Sequence, residues 1–502
     1  MQALPILLKD FYKTSHIFQY PVGTEEVYSN FTPRGSRIEG IDAVVVFGIQ
    51  YFIKEYLIDQ FDHNFFNRPR GTVIRAFKRR MDTALGPDAV STEHMEALYD
   101  LGYLPLEIKA LPEGSLCPMR VPLLTIKNTK PEFFWLTNDL ETLISAALWH
   151  PITSATIAFE YRKMLSKYAA KTSDIPEFVQ WQGHDFSMRG QTSIASAMAS
   201  GAAHLLSFTG TDTIPAIDFL EYYYGANAES ELIGGSVPAT EHSVMCLGGS
   251  ETEDETFKRL IVDVYPKGIV SIVSDTWDYW KVIGETLPAL KEIIMGRDGK
   301  VVIRPDSGDP VDILCGDSTS YDTLKRKGTV EALWDLFGGT VNSKGYKQLD
   351  PHIGVIYGDS ITLERCKAIC ERLATKGFAS TNCVFGIGSY TYQYVTRDTF
   401  GFAMKATHGI INGKPADIFK DPKTDNGFKR SAKGYLRVNS DFSLSEGVTL
   451  EEANSGLLQT VFLNGKMTRF QDLYNVRTTL MHGLLDAVLP LPSHLVGVSN
   501  GV

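Results

Sequence analysis

The chain has 502 residues, 43% of them hydrophobic and 22% charged, and a formal net charge of −10. Such a length exceeds one compact core and predicts more than one domain, and the acidic balance weighs against a surface built for nucleic acid or an anionic membrane. The opening residues MQALPILLKDFYK lack a basic stretch followed by a long apolar one, no apolar run approaches the ~20 residues of a membrane span, and six scattered cysteines form no CxxC pair, so a cytoplasmic, reducing setting without structural zinc is expected.

Within 1–150, segments 27–31, 106–110 and 121–126 read as strands, and 44–59 and 72–85 as helices, giving a mixed α/β module. From 151 to 394 the pattern changes. A small-residue helix at 195–206 leads into Ser207-Phe208-Thr209-Gly210-Thr211-Asp212. The β-branched run 268–273 ends in Ser274-Asp275 and is followed by a helical pattern over 277–294. The run from Val301 stops abruptly at Arg304-Pro305-Asp306-Ser307-Gly308-Asp309. Segment 354–357 ends in Gly358-Asp359, helix 362–376 follows, and 383–385 ends in Gly386-Ile387-Gly388-Ser389. Strand, polar tip and helix in succession are the signature of βα units and a parallel sheet. Several such units favour a TIM-like (β/α) barrel over an open sheet. Residues 395–502 return to mixed strands and loops and are expected to pack back on the N-terminal module. The fold class is therefore α/β: a barrel carrying the site, inserted in a mixed α/β domain built from the N- and C-terminal segments.

Six clusters carry chemistry. His184-Asp185-Phe186-Ser187-Met188-Arg189-Gly190 joins an aromatic, a cation and a glycine, although Phe186 could equally be core and Arg189 a surface charge. Thr209-Gly210-Thr211-Asp212 puts a carboxylate at a strand end. Pro238-Ala239-Thr240-Glu241-His242-Ser243 places a histidine beside a carboxylate; most lone histidines are structural, yet imidazole suits proton or phosphoryl transfer near neutral pH. Arg304 to Asp309 is the fourth cluster, and its bland alternative is a solvated turn. The fifth pairs Gly358-Asp359 with Gly386-Ile387-Gly388, where a strand-end Asp suits ribose hydroxyls and a glycine loop suits phosphate. The sixth is basic: Arg397, Lys405, Lys420, Lys429 and Arg430. In an acidic chain these point to a polyanionic ligand, although ordinary surface charge is the alternative.

As a set, the motifs LKDFYKTSH (8–16), HDFSMRG (184–190), FTGTDT (208–213), SVPATEHS (236–243), SIVSD (271–275), IRPDSGDP (303–310), GDS (358–360), TRD (396–398) and FKDP (419–422) resemble those of the nicotinamide phosphoribosyltransferases over nearly the whole length. These are type II phosphoribosyltransferases of the nicotinate phosphoribosyltransferase-like superfamily. The resemblance implies a homodimer with a shared active site, joining nicotinamide to phosphoribosyl pyrophosphate with release of pyrophosphate, Mg2+ on the substrate phosphates, and ATP coupled through a phosphohistidine at His242. It implies that the pyridine lies between Phe186 and Tyr12 of the other subunit. Asp212 takes the amide NH2 and Arg304 the amide oxygen, with Asp10, Asp275, Asp306 and Ser271 around them. Gly358, Asp359, Gly386, Gly388 and Arg189 are expected at ribose and phosphate. Arg34, Arg397, Lys405 and Lys420 are expected at pyrophosphate, flanked by Lys429 and Arg430. Glu241 is a candidate to orient His242 or to help hold magnesium.

Two positions depart from the family pattern. Tyr390 follows a phosphate loop that is often richer in glycine, and Phe11 stands where a small residue is common. Nicotinate phosphoribosyltransferase is the nearest rival reading. Asp212 argues against it, because a carboxylate welcomes an amide donor and repels a carboxylate substituent. A catalytically silent homologue acting as an interaction protein is the second rival.

Overall fold

Two kinds of sheet organise the chain. The computed structural model describes residues 3–358, 360–420 and 431–488. The described residues fall into two compact units. One is drawn from Met1–Thr156, Leu220–Ala226 and Val395–Gly483, the other from Ile157–Phe219, Asn227–Tyr394 and Leu484–Val502.

The first unit is built on a seven-stranded sheet in the order Lys414–Asp417, Ala403–Ile411, Thr24–Thr32, Leu124–Asn128, Leu106–Ala110, Gln459–Leu463, Lys466–Met467. Every neighbouring pair is antiparallel. The strand after residue 402 therefore pairs with the first strand of the chain, and 459–463 with 106–110. Its core gathers Phe31, Val44, Phe52, Phe61, Leu106, Ile126, Phe402 and Phe462, all essentially inaccessible to water. Two predicted elements differ here. Helix 44–59 begins only at Ile49, because Ala43–Val45 is a β-branched strand and Gly48 turns the chain with φ +91°; that left-handed conformation suits glycine and interrupts the helix. The strand predicted at 121–126 is displaced to Leu124–Asn128.

The second unit holds a six-stranded, wholly parallel sheet in the order Gly210–Thr211, Gly183–Asp185, Cys383–Ile387, Ile353–Tyr357, Asp298–Arg304, Lys267–Val273. Parallel strands are covered on both faces and read as continuous apolar runs; Val270, Ile272, Val301, Ile303, Val355 and Phe385 are buried. The segment 235–239 makes one parallel bridge at each end, Gly235 to Gly210 and Ala239 to Ser271. The two edges of the sheet are thus joined through an extended loop, which curls the sheet into an irregular barrel.

Among the described residues one helix, Glu141–Thr172, is long and apolar enough by length and composition to cross a membrane, and 72% of its most apolar window is buried within the protein. Serine, threonine and Pro151 interrupt its apolar residues, so no uninterrupted run marks it in the sequence.

Candidate active site

All six parallel strands end at residues singled out above. Gly183–Asp185 leads to Phe186, Gly210–Thr211 to Asp212, Lys267–Val273 to Ser274-Asp275, Asp298–Arg304 finishes on Arg304, Ile353–Tyr357 runs into Gly358 and Cys383–Ile387 into Gly388. The carboxyl ends of barrel strands are where a rigid sheet can aim several side chains at one point.

A cavity of about 390 Å³ opens there. His184, Phe186, Asp212, Ser236, Ser271 and Arg304 stand on its wall, and Trp181, Ile269, Val302, Leu349 and Ile353 supply an apolar lining. Such a mixture, apolar with few convergent polar groups, is the usual form of a small-molecule site.

The polar groups are fixed by specific bonds. Asp212 Oδ1 faces His184 Nε2 at 2.8 Å and accepts from Ser236 Oγ at 2.5 Å. Burial raises the Asp212 carboxyl, but the bonds from His184 and Ser236 and the charge of Arg304 outweigh it, and its pKa lies below the ordinary value. Arg304 donates to the carbonyl of Thr240, on the segment that closes the barrel. Burial lowers its pKa, while Asp306, Asp212 and Asp275 oppose that. Ser271 is 4% exposed, and among the described residues its hydroxyl has no hydrogen-bond partner. A hydroxyl in a cavity wall can donate to a ligand placed there.

Phe186 is held by packing. Its ring lies 4.7 Å from that of His184, and a Cβ at Gly386 would come within 2.5 Å of Phe186 Cδ2 and 3.0 Å of the Tyr357 carbonyl. Only glycine leaves the ring in place there. Gly386→Ala is expected to displace it and to raise the KM for the ring-bearing substrate about tenfold with a smaller change in kcat, as steady-state kinetics would show.

His242 opens the helix His242–Gly248. Its Nε2 lies 3.2 Å from Asp275 Oδ1, with the histidine side chain 48% exposed and the aspartate 6%. The other carboxylate oxygen of Asp275 accepts the backbone N–H of Asp306 at 3.2 Å, so Asp275 ties His242 to the tip of the neighbouring strand. Glu241, a candidate to orient His242 or to help hold magnesium, accepts from Ser243 Oγ. A carboxylate one residue before a helix start points along the chain, whereas Asp275 faces the ring from the adjacent strand. Asp306 lies over Gly358, where a Cβ would meet its Oδ1 at 2.4 Å. A Cβ at Gly190 would lie 2.0 Å from Ser389 Oγ, so the turn bearing the exposed Arg189 packs on the Gly388-Ser389 loop. Tyr390 points away from crowding and stacks on Tyr394 at 5.0 Å. Asp309 caps the following helix through the N–H groups of Val311 and Asp312 and so has a structural task.

The first unit carries a separate set. Asp10, Tyr12 and Arg397 line a cavity of about 270 Å³. Asp10 accepts from Thr142 Oγ1 at 2.8 Å, and Tyr12 is 58% exposed. Arg34 donates from Nε to the carbonyl of Gly401 at 2.8 Å. Burial lowers the pKa of Lys405; Glu141 opposes this, and the charges of Arg34, Lys420 and Lys13 reinforce it. Lys13 is ion-paired with Glu141, so Arg34, Lys405 and Lys420 are the cations near one another that are suited to a polyanion. Asp359, Lys429 and Arg430 lie outside the described residues. Among the described residues no group of three or more His, Cys, Asp or Glu side chains could hold a metal ion.

Residues not marked by sequence as site residues are His184 and Ser236, both on Asp212. Asp185, fully buried, organises the same turn by accepting from Ser187 N–H at 2.9 Å and Thr213 Oγ1 at 2.7 Å. The HDFSMRG motif contained the signal for His184, but its partner lies 28 residues away.

Residues 181–466 match the nicotinate phosphoribosyltransferase family, and residues 5–81 the N-terminal domain of nicotinamide phosphoribosyltransferase. The chain is 54% identical to the nicotinamide phosphoribosyltransferase of Acinetobacter baylyi, covering 96% of this chain and 97% of that one. It is 35% identical to the nicotinamide phosphoribosyltransferase of Xanthomonas campestris, over 94% and 97%. In fold it is similar to the nicotinate-nucleotide pyrophosphorylase of Pyrococcus furiosus, with TM-score 0.57 at 15% identity over 96% and 95% of the chains. The human nicotinic acid phosphoribosyltransferase gives 0.54 at 16% identity over the same shares.

Proposed function

The chain belongs to the nicotinate phosphoribosyltransferase family and is a phosphoribosyltransferase, and we propose that it transfers the phosphoribosyl group of phosphoribosyl pyrophosphate to nicotinamide in NAD salvage, forming nicotinamide mononucleotide and pyrophosphate. The observation that carries the choice of ring is Asp212. Bonded by His184 and Ser236 and held in its charged form, it can only accept hydrogen bonds. A carboxamide offers it an N–H; a carboxylate offers it another negative charge. Two unit charges 4 Å apart at an effective dielectric near 20 cost about 4 kcal/mol. Arg304 and the Ser271 hydroxyl supply donors for the amide oxygen, and Phe186 supplies an aromatic face.

The pyridine nitrogen attacks C1′ as the bond to pyrophosphate breaks, and positive charge builds on the ribose ring. Gly358, Gly386, Gly388 and Arg189 bound the ribose and 5′-phosphate region. Arg34, Arg397, Lys405 and Lys420 offset the charge of departing pyrophosphate. The active protein is a homodimer with a shared site, Tyr12 and Arg34 crossing between subunits. Mg2+ arrives on the substrate phosphates, a mode that needs no protein cage. ATP is coupled through phosphorylation of His242. Six unpaired cysteines, five of them buried, accord with a cytoplasmic location.

The test is a product assay with nicotinamide and nicotinate in parallel. The wild type is expected to prefer nicotinamide. Asp212→Asn is expected to lower the nicotinamide-to-nicotinate ratio of kcat/KM by roughly two orders of magnitude, about 2.7 kcal/mol. A wild-type preference for nicotinate would overturn the assignment of substrate, and an unchanged ratio in Asp212→Asn would remove Asp212 from ring recognition.

A further inference from the structure

We propose that His184 is a positioning residue that fixes Asp212 as a hydrogen-bond acceptor and so sets the preference for an amide over an acid on the pyridine ring. The proposal rests on nicotinamide being the substrate.

The geometry places the imidazole where it can do little else. His184 sits on the strand Gly183–Asp185, paired with Gly210 on the strand that delivers Asp212. A Cβ at Gly210 would stand 2.7 Å from His184 Nδ1, so glycine is what lets the ring lie against that strand. Phe186 covers it at 4.7 Å between centroids. Nε2 then faces Asp212 Oδ1 at 2.8 Å. An ionised carboxylate can only accept, so Nε2 carries the proton whether the ring is neutral or charged. Ser236 donates to the same oxygen. Among the described residues nothing bonds the other oxygen, Oδ2, and Asp212 lines the cavity. The histidine thus holds one oxygen and leaves the second for the substrate amide.

The surrounding charges leave this task to His184. Asp185 is on its own strand, Asp212 follows the next, Arg304 ends the strand Asp298–Arg304, and His204 lies on the helix Ile194–His204. Asp185 is occupied by Ser187 and Thr213. His204 is bonded to Tyr392 and to the carbonyl of Gly210, and burial pushes it down to about 4, so it stays neutral and does not compete for Asp212. Burial alone raises the Asp212 carboxyl; the bond from His184 is the foremost influence that opposes it, ahead of Ser236 and Arg304. Removing the imidazole therefore moves the Asp212 carboxyl upward. As pH falls through that higher value, Asp212 takes up a proton and can donate to the carboxylate of nicotinate. In the wild type the same change lies at lower pH.

The experiment measures kcat and KM for nicotinamide and nicotinate from about pH 5.5 to about pH 8.5, using full-length wild type, His184→Leu and His184→Gln. His184→Leu is expected to raise the nicotinamide KM about tenfold with kcat changed less, and to lower the amide-to-acid ratio by about the same factor. His184→Gln keeps an N–H donor and is expected to recover most of the ratio. If His184→Leu does not fold, Gly210→Ala replaces it: the added Cβ pushes the imidazole off Asp212 and is expected to lower the same ratio. A wild type that prefers nicotinamide, with an unchanged ratio at every pH in His184→Leu or its replacement, overturns the role of His184 alone. His184→Gln no better than His184→Leu also overturns it. A wild type that prefers nicotinate overturns the substrate reading instead.

Discussion

A His242→Ala protein is expected to fold with the stability of the parent and to lose the ATP-dependent part of nucleotide synthesis entirely. A histidine that serves packing sits buried among partners, and its loss costs about 1–3 kcal/mol. His242 is 48% exposed and, among the described residues, has one side-chain partner, Asp275, so removing it should change stability by no more than about 0.5 kcal/mol, as for other exposed positions. Its geometry suits phosphoryl transfer. The carboxylate of Asp275 accepts from Nε2, which fixes the tautomer and leaves the lone pair on Nδ1. Asp275 is itself held by the backbone N–H of Asp306, so the ring is oriented from a buried strand end. ATP hydrolysis should vanish in His242→Ala, whereas slow ATP-independent synthesis should persist, because Phe186, Asp212 and Arg304 are untouched. Wild type incubated with γ-labelled ATP should yield an acid-labile, base-stable phosphoprotein. Label retained by His242→Ala, or full stimulation of that variant by ATP, would show that another group accepts the phosphate.

What could be seen in the sequence was whatever needed only a few neighbouring residues. The apolar run ending at Arg304 announced a buried strand, because a parallel strand covered on both faces leaves an unbroken signature. Asp298–Arg304 is that strand, and Lys267–Val273 and Ile353–Tyr357 were legible for the same reason. The pairing of His184 with Asp212 was not, since the strands that bring them together are three and two residues long, too short to show a period. The segment 235–239 carries no strand pattern because it touches each edge of the sheet at a single bridge; its glycine and its one proline, Pro238, read as loop, which is also true. Glu241 looked like the partner of His242 because it is adjacent, yet adjacent residues on an extended segment diverge. The strand end bearing Asp275 lies across from the ring instead. The helix over 44–59 failed at its start because an apolar run alone does not distinguish strand from helix, and the interruption depends on the backbone angle at Gly48.

The largest loss of activity is expected from Tyr12→Ala and Phe186→Ala, and their combination tests the proposed shared site. Phe186 is locked against Gly386 and His184, so it presents one fixed face to a ring. Tyr12 is 58% exposed, with an edge contact to His16 at 4.8 Å and Lys13 over its ring at 5.1 Å. An aromatic so exposed, on a cavity wall shared with Asp10 and Arg397, has apolar surface to cover. If each site takes Phe186 from one subunit and Tyr12 from the other, either single variant damages both sites of its homodimer. Removing one ring from a stacked pair costs about 3 kcal/mol of aromatic burial and contact, or roughly a hundredfold in kcat/KM. Mixing the two variants under subunit exchange changes the outcome. Half of the dimers are then mixed, and each mixed dimer holds one undamaged site and one doubly damaged one. Activity should recover to about a quarter of wild type at complete exchange of a two-fold dimer. A site built within one subunit gives no recovery, because every subunit in the mixture still lacks one ring. Native mass spectrometry of isotopically distinguished subunits reports exchange directly, so mixed dimers without recovered activity would exclude the shared site.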